Sequence, residues 1–259
     1  SLFVRAIFPP LILLCFIIYH LRSKIKKIMP KKVKKTTFVS LLDLIAPHSC
    51  RGCGHLGDVI CERCKNDILN TKIQICPNCK TRINNHRCPK CTNLPPIYIV
   101  GERSSLIGAL VHDFKYYSIH ALAKPLAEIL NESLPNYTHK TIIVPLPTIS
   151  RHIRERGFDH TYLIAKHFSK LRGKKYQVQK LLLRNKNTIQ VGANRSARIT
   201  QANSAYTITS KAIIDPDATY ILFDDVWTTG ASIKAAIKKL QQAGAKNIII
   251  AILALSRLN

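Results

Sequence analysis

Two constellations in this chain could do chemistry. The first is YILFDDVWTTGAS, residues 220–232, where a hydrophobic run ends in Asp224 and Asp225 and passes through Thr228, Thr229, Gly230, Ala231 and Ser232 into a helical pattern. A loop entering a helix presents unpaired backbone N–H groups to an anion. Thr228, Thr229 and Ser232 add hydroxyl donors, and Gly230 lets the backbone come close. Together they make a cradle for a phosphate. Two acids beside a phosphate repel it unless they face something else, and sugar hydroxyls suit them. A bare pair of aspartates after a strand more often only caps the next helix; the ordered length of this string argues for the ligand.

The second constellation is metal chemistry. Eight of the nine cysteines fall in four C-x2-C pairs: Cys50 and Cys53, Cys61 and Cys64, Cys76 and Cys79, Cys88 and Cys91. Each pair makes a knuckle offering two thiolates, and two knuckles complete a closed tetrahedral zinc site. The eight thiolates fill two structural Zn2+ sites, with the pairs combined in chain order or interleaved. His48, His55 and His86 are then bystanders. Serial pairs argue against a redox dithiol and against a secreted disulfide framework, and so favour a reducing cytoplasm.

A third cluster supports the first. The apolar run TIIVPL, residues 141–146, leads into a segment carrying Arg151, Arg154 and Arg156. Cations just beyond a strand end suit a pyrophosphate, although each arginine alone reads equally well as a solvated helix face.

The elements that must position these groups alternate along the chain. LPPIYIVGER enters a first strand; Leu106, Leu110, Phe114, Leu122 and Leu126 recur at helical spacing within residues 104–134. Residues 141–146 read as a buried strand, 162–171 as a helix, and 175–184 as strand or strand plus turn. Residues 220–223 form another buried strand, 232–243 a helix stopped by Gly244, and 247–255 a final strand. Strand, crossover helix and strand in succession predict an α/β fold with a parallel sheet covered on both faces. The cysteine segment is too poor in apolar periodicity to build a core, so metal must hold it together.

Lysine and arginine outnumber aspartate and glutamate 40 to 14 in 259 residues, a formal charge of +26. That balance points to polyanionic partners, phosphorylated substrates or nucleic acid. Residues 6–19 are apolar but broken by Pro9 and Pro10, and a basic stretch follows. This is a short candidate for a membrane anchor with its positive flank inside. Met29 is the only methionine, so translation from Met29, with residues 1–28 as upstream sequence, is the equal alternative.

The string around Asp224 and Asp225 closely resembles the 5-phosphoribosyl-1-pyrophosphate (PRPP) motif of type I phosphoribosyltransferases. With the four cysteine pairs, FKYYS around Lys115, VPLP followed by RERGFDH, and the segment from Arg184 through Thr188 and Gln190 to Arg198, the chain from about Leu41 onward resembles the ComF family, named for competence. Asp159 and His160 stand where that family usually has Asn and Gln, and Gln201 where it has Asn. The resemblance implies a type I phosphoribosyltransferase-like sheet preceded by a small zinc-ribbon-like module. It divides the chain into an apolar segment and basic linker (1–39), a double zinc-finger module (40–95) and a phosphoribosyltransferase-like domain (96–259). Asp224 and Asp225 would contact the ribose hydroxyls, and residues 228–232 the 5′-phosphate. Lys115, Arg151, Arg154 and Arg156 would serve the pyrophosphate, and Mg2+ would accompany PRPP. The implied activity is that of a glycosyltransferase, moving phosphoribosyl to an unnamed acceptor in competence and DNA uptake. Its rivals are a non-catalytic competence factor that handles single-stranded DNA with other competence proteins, and a PRPP-sensing regulator. A glutaminase nucleophile is not evident, since no cysteine follows Met29 directly or occurs beyond Cys91.

Overall fold

The computed structural model describes residues 48–71, 73–185, 205–210 and 212–256. The apolar segment, the basic linker, Thr188, Gln190, Arg198 and Gln201 lie outside the described residues. No helix among those described is long and apolar enough to cross a membrane.

The centre of the fold is a five-stranded, all-parallel sheet in the order β3-β9-β8-β4-β5. Its strands are β3 (Ile97–Glu102), β4 (Thr141–Pro145), β5 (Tyr176–Val178), β8 (Thr219–Trp227) and β9 (Asn247–Leu255). β4, β8 and β9 are apolar on both sides because helices cover both faces, and β4 is buried throughout. Strand alternation divides the core. Ile143, Ile221, Phe223, Ala251 and Leu253 face helices α2 (Leu106–Tyr116), α3 (Ala123–Ser133) and α5 (His160–Arg172). Ile142, Val144, Tyr220, Leu222, Ile250 and Ile252 face α6 (Ala231–Gln242). The periodic stretch 104–134 thus becomes two helices joined by a 3-10 turn at His120–Leu122.

Residues 175–184 do not form one element. β5 joins the main sheet, whereas β6 (Leu182–Arg184) pairs antiparallel with β7 (Tyr206–Ile208) in a separate two-stranded ribbon. A short hairpin, β1 (His48–Ser49) with β2 (Leu56–Gly57), opens the cysteine segment. That segment also contains a helix, α1 (Glu62–Leu69), and it does not rely on metal alone. Cys50, Ile60, Cys64 and Ile68 are buried in the core on the α2–α3–α5 face. Cys76, Ile83, Cys88 and Leu94 are buried in the core on the α6 face. The two cysteine knuckle pairs therefore close opposite sides of one sheet. Gly52 permits the first approach: a Cβ there would lie 2.8 Å from both Cys64 Sγ and Leu106 Cδ2.

One feature of α3 and α5 shows how polar groups are satisfied where helices end. The last carbonyls of a helix lack intrahelical partners. The Arg172 guanidinium, at the end of α5, donates to the carbonyls of Asn131, Leu134 and Pro135 at the end of α3, and to the side chains of Asn131 and Asn136. Its plane also lies over Phe168 and Tyr176, 5.4 and 5.5 Å from the ring centroids.

Candidate functional site

In open α/β sheets ligands bind beyond the carboxyl ends of the strands. β4 and β8 are parallel neighbours, with Pro145 opposite Phe223, and the Leu146 N–H bonds to the Phe223 carbonyl. The segment carrying the arginines and the segment carrying the acids therefore leave the sheet side by side. β8 does not stop at Phe223; it runs on through Trp227. The two aspartates lie within the strand, so alternation sends them to opposite faces.

Asp225, 4 % exposed, joins the α2–α5 side. Lys115 Nζ, near the end of α2, lies 2.6 Å from Asp225 Oδ2, and His160 Nε2, at the start of α5, contacts the same oxygen. Burial pushes the Asp225 carboxyl upward, but Lys115 and His160 outweigh it and hold the group well below the usual carboxylate range. Asp224 is partly buried on the other side, where its charge is felt by Tyr206 of the ribbon. Its Oδ1 accepts the Asp225 N–H at 2.9 Å. It makes no ion pair of its own among the described residues. Burial and the neighbouring Asp225 charge push its carboxyl well above the usual range.

The loop after β8 turns at Gly230, whose φ of 74° lies in the left-handed region. A Cβ there would stand 2.2 Å from the Trp227 ring. Glycine is required twice, by backbone angle and by space. Trp227 is 1 % exposed and floors the loop, and its Nε1 has no hydrogen-bond partner among the described residues. Thr228, Thr229 and Ala231 are exposed above it, and Ser232 is partly buried in the first turn of α6. The Thr229 hydroxyl lies 3.4 Å from the Ala231 N–H.

The three arginines fare differently on α4 (Ser150–Arg156). Arg151 is exposed and paired with Glu155 at 2.7 Å. Arg154 is exposed, without a partner among the described residues. Arg156 alone is drawn into the cluster: its Nη1 lies 3.1 Å from His160 Nδ1, and its guanidinium sits 5.4 Å from the centroid of the Tyr116 ring. Asp159 caps α5, accepting from the Tyr162 N–H and the Thr161 and Thr148 hydroxyls. Sequence reasoning noted His160 only as a departure from the family's usual Gln and gave it no role. Arg156 is four residues before it, but Asp225 is far away in the chain.

The cysteines fall into two groups, Cys50, Cys53, Cys61 and Cys64, and Cys76, Cys79, Cys88 and Cys91. The pairs combine in chain order, not interleaved. Within each group the Sγ atoms lie within 4.8 Å of one another. The closest approaches, Cys53 to Cys61 at 3.6 Å and Cys79 to Cys88 at 3.4 Å, are near the ~3.8 Å edge of a tetrahedron with metal–sulfur bonds of about 2.3 Å. Burial pushes the Cys64 and Cys76 thiols up to about 12, while the Thr81 hydroxyl and N–H bring Cys79 down to about 6. Four such thiols fit a divalent cation that ionises them together. His48, His55 and His86 belong to neither group. The second group also touches α6: Asn78 Nδ2 donates to Cys91 Sγ at 3.2 Å, and Lys234 Nζ donates to Asn78 Oδ1.

A concavity of about 860 Å³, lined by Arg87, Tyr98, Tyr137, Thr219 and Lys246, lies at the amino ends of the strands, opposite the acids. It gathers none of the groups singled out above.

No family model matches the chain. It is 25 % identical to the competence protein ComFC of Streptococcus pneumoniae (strain ATCC BAA-255 / R6) over 218 residues, which cover 82 % of this chain and 90 % of that protein. Similarity along most of both chains, together with the two four-cysteine groups, supports the resemblance to the ComF family.

Proposed function

We propose that the chain binds PRPP at the carboxyl ends of β4 and β8 and transfers its phosphoribosyl group to an acceptor, releasing pyrophosphate, in a competence role like that of its pneumococcal relative. The observation that carries this reading is the convergence of Lys115, Arg156, His160 and Asp225 beside the glycine-turned loop that follows β8. The loop supplies N–H and hydroxyl donors for a 5′-phosphate. Asp224, on the loop side and lacking a cation, is the acid that sugar hydroxyls would relieve. Asp225 acts from beneath: it anchors Lys115 and His160. Arg156 offers its remaining N–H groups to a pyrophosphate and would stabilise the charge developing on it as the glycosidic bond breaks. Mg2+ draws most of its ligands from phosphate oxygens and water. Asp224 is the carboxylate available to it, and when bound the ion neutralises the leaving group.

Calorimetric titration of the zinc-loaded protein with PRPP and Mg2+ tests the reading. Saturable binding, weakened at least about tenfold by Asp224→Asn, a loss of ~1.4 kcal/mol, is expected. No binding by well-folded protein rejects it. In that event the alternative gains weight, because Tyr116 and Tyr117, 61 % and 66 % exposed, stand beside these cations as a stacking surface for single-stranded DNA.

A further inference from the structure

His160 is 7 % exposed in its side chain, and both ring nitrogens are engaged. Nδ1 faces Arg156 Nη1, and an arginine has only donors to offer. Nδ1 must therefore carry a lone pair. The Thr148 hydroxyl, 3.4 Å from Nδ1, gives its proton to Asp159 Oδ1 at 3.2 Å. On the other side Nε2 faces a carboxylate oxygen that already receives Lys115, so Nε2 must carry the proton. Two independent contacts select one form, the neutral ring protonated at Nε2. An imidazolium would set a second N–H against Arg156, donor against donor and cation against cation. The opposite tautomer would set a lone pair against Asp225.

We propose that His160 is the positioning residue of the site: as the neutral Nε2–H tautomer it ties Arg156 to Asp225, and this tie singles out Arg156 as the pyrophosphate-binding cation. The inference deepens the PRPP reading and rests on it for the ligand, though not for the tautomer. Arg156 is held between the Tyr116 ring and Nδ1, and among the described residues it has no further partner. Its remaining donors are thus fixed before a ligand arrives, so less conformational entropy is lost on binding. Arg151, neutralised by Glu155, and Arg154, unsupported, lack that preparation. The charged groups facing the ring are Asp225 from β8, Lys115 from α2 through Asp225, Arg156 from α4, and Asp159 at the head of α5, itself paired with Lys180 at 3.3 Å.

The experiment combines long-range ¹H–¹⁵N NMR of histidine-labelled, zinc-loaded protein with PRPP–Mg2+ calorimetry of the wild type, His160→Gln and His160→Leu. In the ligand-free wild type Nδ1 is expected to be unprotonated and Nε2 protonated. Glutamine can accept from Arg156 and donate to Asp225 at once. His160→Gln should therefore bind within about threefold of wild type, whereas His160→Leu should lose at least about tenfold. A proton on Nδ1, or His160→Leu binding as tightly as wild type, overturns the proposal. If no protein binds PRPP, the PRPP reading fails, and the NMR spectrum still decides the tautomer.

Discussion

The ion pair between Lys115 and Asp225 gives the sharpest energetic test. The two side chains are 17 % and 5 % exposed and 2.6 Å apart. Lys115→Met keeps most of the apolar stem and removes the charge, leaving a buried carboxylate with His160 as its remaining donor. Breaking a buried pair by removing one partner costs about 3–5 kcal/mol. His160 still shields Asp225, so the low end, about 3 kcal/mol, is expected at neutral pH. Asp225→Asn strands a lysine that can still reach water and should cost less, about 1–2 kcal/mol. The double variant removes both charges, so its loss should fall short of the sum of the singles by about 2 kcal/mol. Acidity separates this from a packing defect. In the wild type the depressed Asp225 contributes stability that is present above the ordinary carboxylate value near 3.9 and is lost only as pH falls through its depressed value. Without Lys115, burial raises that carboxyl, and the cost of the substitution shrinks as pH falls through the raised value. Urea denaturation of zinc-saturated proteins at several pH values reads all of this. Additive single losses, or a Lys115→Met cost below about 1 kcal/mol at neutral pH, would refute the reasoning.

Three further outcomes are expected. Asp224→Asn should raise the urea midpoint at alkaline pH, because Asp224's raised carboxyl makes its charged form costly in the fold. The gain should narrow as pH falls through that raised value, and an unchanged or lowered midpoint would contradict the like-charge argument. Arg172→Ala strands three carbonyls and two side-chain oxygens and should cost about 3 kcal/mol in the same assay, with Arg172→Lys recovering only part. Elemental analysis should find two zinc ions per chain and one after Cys88→Ala; retention of both would exclude Cys88 as a ligand.

The central strands are legible because a strand buried on both faces must be apolar at every position, and NIIIAILAL and TIIVP satisfy that without ambiguity. β5 and β6, at three residues each, are too short to display alternation, and nothing local says that the chain changes sheets between them. Helix α1 is hidden because ERCKNDIL buries only Cys64 and Ile68, and a cysteine in such a stretch reads first as a ligand. The cysteine spacing reveals four knuckles, but which pairs combine depends on where the sheet places them. The loop after β8 and the arginine segment stand out as strings. The contacts among Lys115, Arg156, His160 and Asp225 do not, because they come from separate elements and meet only when α2, α4 and α5 pack against β8.

The order of strands in the main sheet constrains how the chain acquires its structure. β9 lies between β3 and β8, with Ile97 opposite Ile250, so the first and last described strands of the sheet are direct neighbours. During synthesis β3, whose one strand neighbour in the sheet is β9, must wait with neither edge paired until residues 247–255 have left the ribosome. Closing so long a loop is entropically slow. The cysteine knuckles, whose members are close in sequence, can form early and shield part of the exposed surface meanwhile. Their service to the molecule then begins before there is a site to position.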